Sequence, residues 1–170
     1  AKVATILALP NTSVAPAASA AAWLSGVSTG STSTNWVSPM VFIDTSVPLY
    51  LVGAAHPNKV DAQRRLEALV TQRVRLVTDA EVLTEILHRY TTLERRGGIQ
   101  LAWDALQGVV DEVLPVDRET LERAKQLVLQ YPTLPVRAAV HVATLQRHGI
   151  DTVLSFDPAF DRVPGLTRLR

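Results

Sequence analysis

The chain has no cysteine, which removes disulfide bonds and thiolate chemistry from any account of its fold or activity. It also lacks an apolar run approaching the roughly 18 residues of a membrane span, so we expect a cytoplasmic protein without membrane partners. Charge of one sign is not in excess: 17 basic and 16 acidic side chains leave a net charge of +1, which gives no general attraction to nucleic acid. At 170 residues, the chain has the length of one domain with a sizeable core.

Charged side chains are nearly absent from one end of the chain. Lys2 is the only one in residues 1–39, a stretch rich in Ala, Ser, Thr and Val. Such a composition buries too little apolar surface to offset the entropy cost of ordering. Met40, the single methionine, directly precedes the first strand-like run. We therefore predict a low-complexity leader or tag at residues 1–39, outside the fold, and a folded domain at residues 40–170.

A secretory signal peptide is the alternative interpretation of the leader. Lys2, the apolar residues 3–9 and the small residues 17–20 have the required order. The apolar segment is short and Pro10 interrupts it, so an appended or upstream translated segment is favoured.

Strand-like and helix-like patterns alternate after Met40. The strand-like runs are residues 41–43, 74–77, 113–116 and 152–155, with a last run at 166–169, and the helical periodicity covers residues 59–71, 78–96, 99–110, 117–131 and 135–148. Thr78-Asp79-Ala80-Glu81 fits a capping box, and Gly97-Gly98 is predicted to be a turn between helices. This order predicts a three-layer α/β fold, with a central, mostly parallel sheet flanked by helices.

Three acids are candidates for one site. Asp44 and Asp157 each follow a strand-like run, and ligands of open α/β sheets bind beyond the carboxyl ends of strands. Glu85, about two turns into a helix, can lean back over the same edge. Such carboxylates suit Mg²⁺ or Mn²⁺, which can activate water against a phosphodiester. Individually, each acid is also explained as a cap, a turn residue or a solvated helix residue.

Four segments in order resemble a PIN domain of the VapC toxin type. They are Val41-Phe-Ile-Asp44-Thr-Ser46, Val82-Leu-Thr-Glu85-Ile, Val136-Arg-Ala138-Ala-Val-His-Val-Ala143 and Leu154-Ser-Phe-Asp157-Pro-Ala-Phe160. The resemblance covers about residues 40–170. It implies a PIN-like fold and a toxin–antitoxin endoribonuclease that uses Mg²⁺ or Mn²⁺ to cleave RNA. It also implies a homodimer that a cognate antitoxin holds inactive.

The resemblance assigns roles to individual residues. Asp44 matches the first acid and is expected to bind metal directly, and Glu85 matches the second acid, which binds metal or orients the metal-bound water. Asp157 matches the acid that completes the pocket. Thr45 and Ser46 match small hydroxyl positions beside the first acid, where Ser46 can contact a carboxylate or the scissile phosphate. Asp161 is a weaker candidate and is more simply a surface turn acid.

Position 138 departs from the family pattern. The resemblance places an Asp there, and this chain has Ala138, with no acid nearby before Asp151. Losing one of three or four carboxylates weakens divalent binding and misplaces the attacking water, so we expect an impaired copy. Engineered inactivation is favoured over natural degeneracy, because the other acids are intact. His141, three residues further along the helix, can approach the site, although packing or a hydrogen bond is the favoured role.

Two other functions remain open. An inactive PIN domain would act as a module that binds RNA or antitoxin, and a more distant possibility is a nuclease that acts on DNA or in ribosomal RNA processing. Two arginine clusters could guide RNA or merely solvate a helix; they are Arg64, Arg65, Arg73 and Arg75, and Arg89, Arg95 and Arg96.

Overall fold

The computed structural model describes Lys2 and residues 39–170. The predicted leader, apart from Lys2 and Pro39, lies outside the described residues. From residue 39 onward, the strands are β1 Met40–Ile43, β2 Arg75–Asp79, β3 Glu112–Leu114, β4 Thr152–Leu154 and β5 Thr167–Leu169. The helices are α1 Ser46–Val52, α2 Pro57–Thr71, α3 Ala80–Thr92, α4 Gly97–Gln107, α5 Arg118–Gln130 and α6 Val136–Arg147, and a 3₁₀ turn covers Pro158–Arg162.

The five strands form one sheet in the order β3-β2-β1-β4-β5, and every neighbouring pair is parallel. Parallel strands require crossovers, which the helices supply, so the predicted α/β class with a central sheet flanked by helices is confirmed. Because all five strands run the same way, their carboxyl ends meet at one edge. Asp44, Asp79 and Ser155 lie at that edge, at or directly after the ends of β1, β2 and β4.

The inner strands are buried on both faces. Phe42, Ile43, Leu76, Val77, Val153 and Leu154 are all fully buried. Strands of a parallel sheet covered by helices on both sides read as continuous apolar runs, which is the pattern seen here. The core therefore holds the ends of β1, β2 and β4 in fixed register.

Several local features differ from the sequence-based expectations. Helix α1 was not anticipated; it begins directly after the acid of β1, and its Val47 and Leu51 are buried. The capping box at Thr78 is wrong: Thr78 is in β2, its hydroxyl donates to the Ile43 carbonyl, and Asp79 is the residue that caps α3.

The predicted turn at Gly97-Gly98 is also wrong, because both glycines are the first residues of α4. Helix α3 ends earlier than predicted, at Thr92, and the connection to α4 contains Glu94 in the left-handed region (φ 55°). Gly98 is needed where the two helices meet, since a Cβ there would overlap the Tyr90 ring.

Proline and aspartate residues mark three other element ends. Pro115 directly follows β3, which is an edge strand of the sheet, where proline costs no ladder hydrogen bond. Asp117 caps α5 by accepting a hydrogen bond from the Thr120 amide, and Pro135 precedes α6. Within residues 39–170 and Lys2, no helix has both the length and the apolar character to cross a bilayer.

Candidate metal centre

A cleft of about 520 Å³ opens at the carboxyl edge of the sheet. Its wall contains all five residues predicted for the site, together with Ala138 and three further polar residues. These are Asp44, Thr45, Ser46, Glu85 and Asp157, with Arg89, Arg137 and His141. Residues that are far apart in the sequence, such as Asp44 and Asp157, thus line one concave surface.

Asp44 is held rigidly at the base of the cleft. It is 5% exposed, and its Oδ2 accepts hydrogen bonds from the Ser46 amide (3.1 Å), the Ser46 hydroxyl (2.6 Å) and the Ser155 hydroxyl (2.7 Å). Since none of the described residues donates to Oδ1, that oxygen is available to a cation.

Glu85 extends from α3 toward Asp44. The Thr45 hydroxyl donates a hydrogen bond to Glu85 Oε2, and the Arg137 Nε lies 3.5 Å from Oε1. Burial acts to raise the pKa of Glu85, but His141 and the Thr45 hydroxyl outweigh it, so the pKa lies below its ordinary value. Glu85 is therefore ionised at neutral pH, as a metal ligand must be.

Ser46 and Thr45 each orient one acid of the site. Ser46 fixes Asp44, and its hydroxyl also accepts a hydrogen bond from the Phe156 amide (3.0 Å), which ties α1 to the segment after β4. Thr45 fixes Glu85. Both hydroxyls donate to the acids, and their predicted substrate role stays a prediction.

Asp157 lines the same cleft but is exposed. Its Oδ1 accepts a hydrogen bond from the Ala159 amide (2.8 Å), so it caps the 3₁₀ turn. It does not belong to the tight group of ligand atoms described below, and its metal role stays a prediction. Asp161 forms a paired contact with Arg168, at 2.8 and 2.5 Å, which agrees with a surface turn acid.

His141 is the residue of this site that the sequence patterns undervalued. Its Nδ1 lies 3.0 and 3.1 Å from the two carboxylate oxygens of Asp79, so the predicted hydrogen-bonding role is confirmed. Burial acts to lower the pKa of His141, but the charge and hydrogen bond of Asp79, with Glu85 and Asp44 nearby, raise it well above its ordinary value. The available signal was its position one helical turn after Ala138.

The Nε2 atom of His141 points into the cleft. Atoms of Asp44, Glu85 and His141 that can bind metal all lie within 4.8 Å of one another. Among the buried side-chain polar atoms of the described residues, this Nε2 alone has no hydrogen-bond partner. Two carboxylates and an imidazole nitrogen without a hydrogen-bond partner fit a divalent cation, which would displace the proton of the imidazole as it binds.

Ala138 borders this group from α6. Its side chain is 4% exposed and lines the cleft, at the position for which the sequence resemblance predicts a carboxylate. Arg137, the preceding residue, is exposed and contacts Glu85.

Comparison with known proteins gives one consistent result. A family model described as PIN domain matches residues 41–166. Ribonuclease VapC13 of Mycobacterium tuberculosis is 52% identical to this chain over 130 residues, which are 76% of the chain and 99% of that relative. The crystal structure of VapC20 from the same organism, described as a sarcin-ricin loop cleaving toxin, superposes with a TM-score of 0.55 at 26% identity. The superposition covers 69% of this chain and 90% of the VapC20 chain.

A more distant structure has the same fold. VapBC2 from Rickettsia felis, bound to a DNA fragment from its promoter, superposes with a TM-score of 0.60 at 12% identity. The match covers 76% of this chain and 97% of that chain. At this identity the likeness concerns the fold alone.

Proposed function

The chain belongs to the PIN-domain family, with VapC-type toxins as its relatives, and from that premise we propose that it is an endoribonuclease toxin that uses Mg²⁺ or Mn²⁺. The observation that carries the proposal is the convergence of Asp44 and Glu85, with a buried histidine, in a cleft at the strand ends. An oxygen-rich site of this kind suits hydrolysis of a phosphodiester.

The residues of the cleft have separate roles in this proposal. Asp44 binds the cation through the oxygen that the serines leave open, and Glu85 binds the cation or orients the attacking water. Asp157 completes the pocket, while Ser46 contacts Asp44 or the scissile phosphate. A divalent cation bound there supplies an activated water and polarises the phosphate.

The substitution at position 138 reduces the activity of this copy in our proposal. A buried methyl group where the family has an Asp removes one negative charge from the site. A misplaced or missing ligand commonly costs orders of magnitude in rate. Ala138→Asp is therefore expected to restore cleavage.

The partners follow from the family. A cognate antitoxin would cover the cleft and suppress cleavage, and two copies of the chain would form a homodimer. Both proposals agree with the exposed apolar side chains Leu87 and Leu101 on α3 and α4, which offer surface for protein contact.

The second candidate function is a binding module without cleavage, which Ala138 specifically favours. In that case the protein would bind RNA or antitoxin tightly without requiring a divalent cation. The two functions differ in a measurable way, because only the nuclease depends on the carboxylates of the cleft.

The test is RNA cleavage in Mn²⁺ by three proteins: the chain as it stands, its Ala138→Asp variant, and that variant also carrying Asp44→Asn. We expect weak or no cleavage by the first, cleavage by the second and loss of at least about 100-fold in the third. Asp161→Asn in the Ala138→Asp background is the matched control and should leave cleavage unchanged. If the Ala138→Asp variant does not cleave total cellular RNA, that result would favour the binding module.

A further inference from the structure

One ring nitrogen of the fully buried His141 has no hydrogen-bond partner among the described residues. His141 is 2% exposed, and its Nε2 lies 3.7 Å from Glu85 Oε2, which is beyond hydrogen-bond distance. The Thr45 hydroxyl already donates to that same oxygen. Buried polar atoms in native proteins nearly always have a partner, so this nitrogen requires an explanation.

The other ring nitrogen of His141 is fully engaged. Nδ1 lies within 3.1 Å of both oxygens of Asp79, and since the carboxylate oxygens are the acceptors in this pair, Nδ1–H is the donor. The raised pKa of His141 means that a cation must displace a proton from Nε2 as it binds, and the neutral ring with this tautomer then offers the lone pair of Nε2. Histidines that bind metals almost always donate their second N–H to a carboxylate or carbonyl in this way.

Asp79 and two aromatic rings hold the imidazole in place. Asp79 is fully buried and also accepts a hydrogen bond from the Val82 amide (3.0 Å) at the start of α3. The rings of Phe42 and Phe160 also pack near the imidazole, with centroids 5.5 and 6.3 Å from that of His141. These contacts fix the orientation of the ring, with Nε2 on the side of Glu85.

The three ligand atoms have the spacing of a coordination site. Those of Asp44, Glu85 and His141 fall within 4.8 Å of one another and come from β1, α3 and α6. Ligands about 2.1 Å from a cation on opposite sides are roughly 4 Å apart. Small adjustments of these side chains would bring all three onto one ion.

The composition of the ligand set determines which ion it prefers. Ala138 offers only a methyl group one turn before His141, so two carboxylates and one imidazole remain in the tight group. Imidazole nitrogen suits Zn²⁺ and other transition metals, whereas Mg²⁺ prefers oxygen ligands. Mn²⁺ tolerates both and is paramagnetic, which makes it a useful probe.

We propose that His141 Nε2 is a direct metal ligand with Asp44 and Glu85, and that this nitrogen shifts the preference of the site from Mg²⁺ toward Mn²⁺ and Zn²⁺. The inference rests on the proposed function, because it concerns the same cleft. It differs from an all-carboxylate centre in naming a nitrogen ligand and the carboxylate, Asp79, that orients it.

The direct test uses the unaltered chain loaded with Mn²⁺ alone. Electron spin-echo envelope modulation detects a ¹⁴N nucleus bound to Mn²⁺, and we expect the modulation of one imidazole nitrogen. His88→Gln is the matched control: His88 is exposed on the same helix as Glu85, and its replacement should leave the modulation unchanged. His141→Gln should abolish it.

Calorimetric titration with Mn²⁺, Zn²⁺ and Mg²⁺ measures the preference. We expect His141→Gln to weaken Mn²⁺ and Zn²⁺ binding by about 10- to 100-fold and to change Mg²⁺ binding much less. Thermal melting of each variant checks that it is folded. If His141→Gln is unfolded, the modulation in the unaltered chain still decides the question.

The outcomes separate the nitrogen ligand from the proposed function. Mn²⁺ that binds, is lost with Asp44→Asn and shows no ¹⁴N modulation would overturn the His141 ligand while leaving the nuclease intact. Absence of all divalent binding would overturn the nitrogen site, whereas the proposed function is read independently from RNA cleavage by the Ala138→Asp variant. Modulation that disappears with His141→Gln supports the inference.

Discussion

At the scale of single residues, the site depends on carboxylates whose surroundings differ. Asp44 accepts three hydrogen bonds on one oxygen, and Glu85 accepts one from Thr45. Asp79 accepts hydrogen bonds from the Val82 amide and from His141. Asp44 and Glu85 can thus offer an oxygen to a cation. Asp79 instead orients His141, so the three acids have two different roles.

A carboxylate outside the cleft provides a pH prediction. Asp117 caps α5 through the Thr120 amide and contacts Arg147, and these donors lower its pKa to about 2 from 3.8. A depressed folded-state pKa contributes stability that is present above pH 3.8 and is lost as pH falls through about 2. Asp117→Asn keeps a capping side chain without the charge. We expect it to lower the Tm at neutral pH and to match the parent near pH 2.

The measurement is thermal unfolding of both proteins across that pH range. Glu119→Gln is the control, since Glu119 also contacts Arg147 but does not cap the helix. Its effect on the Tm at neutral pH should be smaller. A Tm difference between the parent and Asp117→Asn that stays constant down to pH 2 would contradict the assignment.

At the scale of elements, the sheet and two helices assemble the centre. The parallel strands β1 and β2 deliver Asp44 and Asp79 to one edge, and the helices α3 and α6 add Glu85 and His141. Each of these side chains leaves a rigid element rather than a long loop. A site built in this way keeps its ligand spacing without help from the ligand.

The junction of α3 and α4 offers a prediction about packing. A Cβ added at Gly98 would overlap the Tyr90 ring, whereas nothing lies within 4 Å of a Cβ added at Gly97. Gly98→Ala should therefore destabilise the domain by about 1–3 kcal/mol, the usual cost of overpacking. Urea unfolding gives the free energies.

Gly97→Ala is the matched control, because the two glycines are adjacent in the first turn of α4. We expect it to be neutral or to stabilise the domain by up to about 1 kcal/mol through helix propensity. Replacing Tyr90 by Ala should remove most of the penalty of Gly98→Ala. Equal effects of the two Gly→Ala changes would show that Tyr90 is not the obstacle.

At the scale of the whole molecule, a nearly neutral protein still places basic groups beside the cleft. Arg89 and Arg137 line it, while the first arginine cluster is partly engaged elsewhere: Arg64 contacts Asp61 and Arg75 contacts Glu112. Guanidinium groups next to the acids favour contacts with the phosphates of an RNA strand. The second cluster, through Arg89, is therefore the better candidate for guiding RNA.

The salt dependence of RNA binding tests that assignment. Arg89→Gln should weaken binding and reduce the slope of log K against log salt by about 0.7 for a single-stranded RNA, because one phosphate contact is lost. Arg64→Gln is the control and should leave the slope unchanged. If Arg64→Gln reduces the slope and Arg89→Gln does not, the first cluster is the one that contacts RNA.

By itself, the sequence determined the alternation of strands and helices, the acids at two strand ends and the Ala where a carboxylate was expected. These features are local: an apolar run that stops at Asp44, or a helical stripe that carries Glu85, can be recognised from neighbours in the chain. Burial of a short parallel strand also leaves a continuous apolar run, and for that reason the sheet was predictable.

Only the tertiary structure decided which polar groups meet. Asp79 and His141 are 62 residues apart, and nothing in the spacing of either one indicates that a buried hydrogen bond joins them. The same holds for Thr45 and Glu85, 40 residues apart. Asp79 looked like part of a capping pattern, and His141 like a helix residue, because propensity describes a segment and its neighbours. The cleft exists because packing of α3 and α6 on the sheet brings distant side chains within a few ångströms of one another. This proximity arises only in the folded protein.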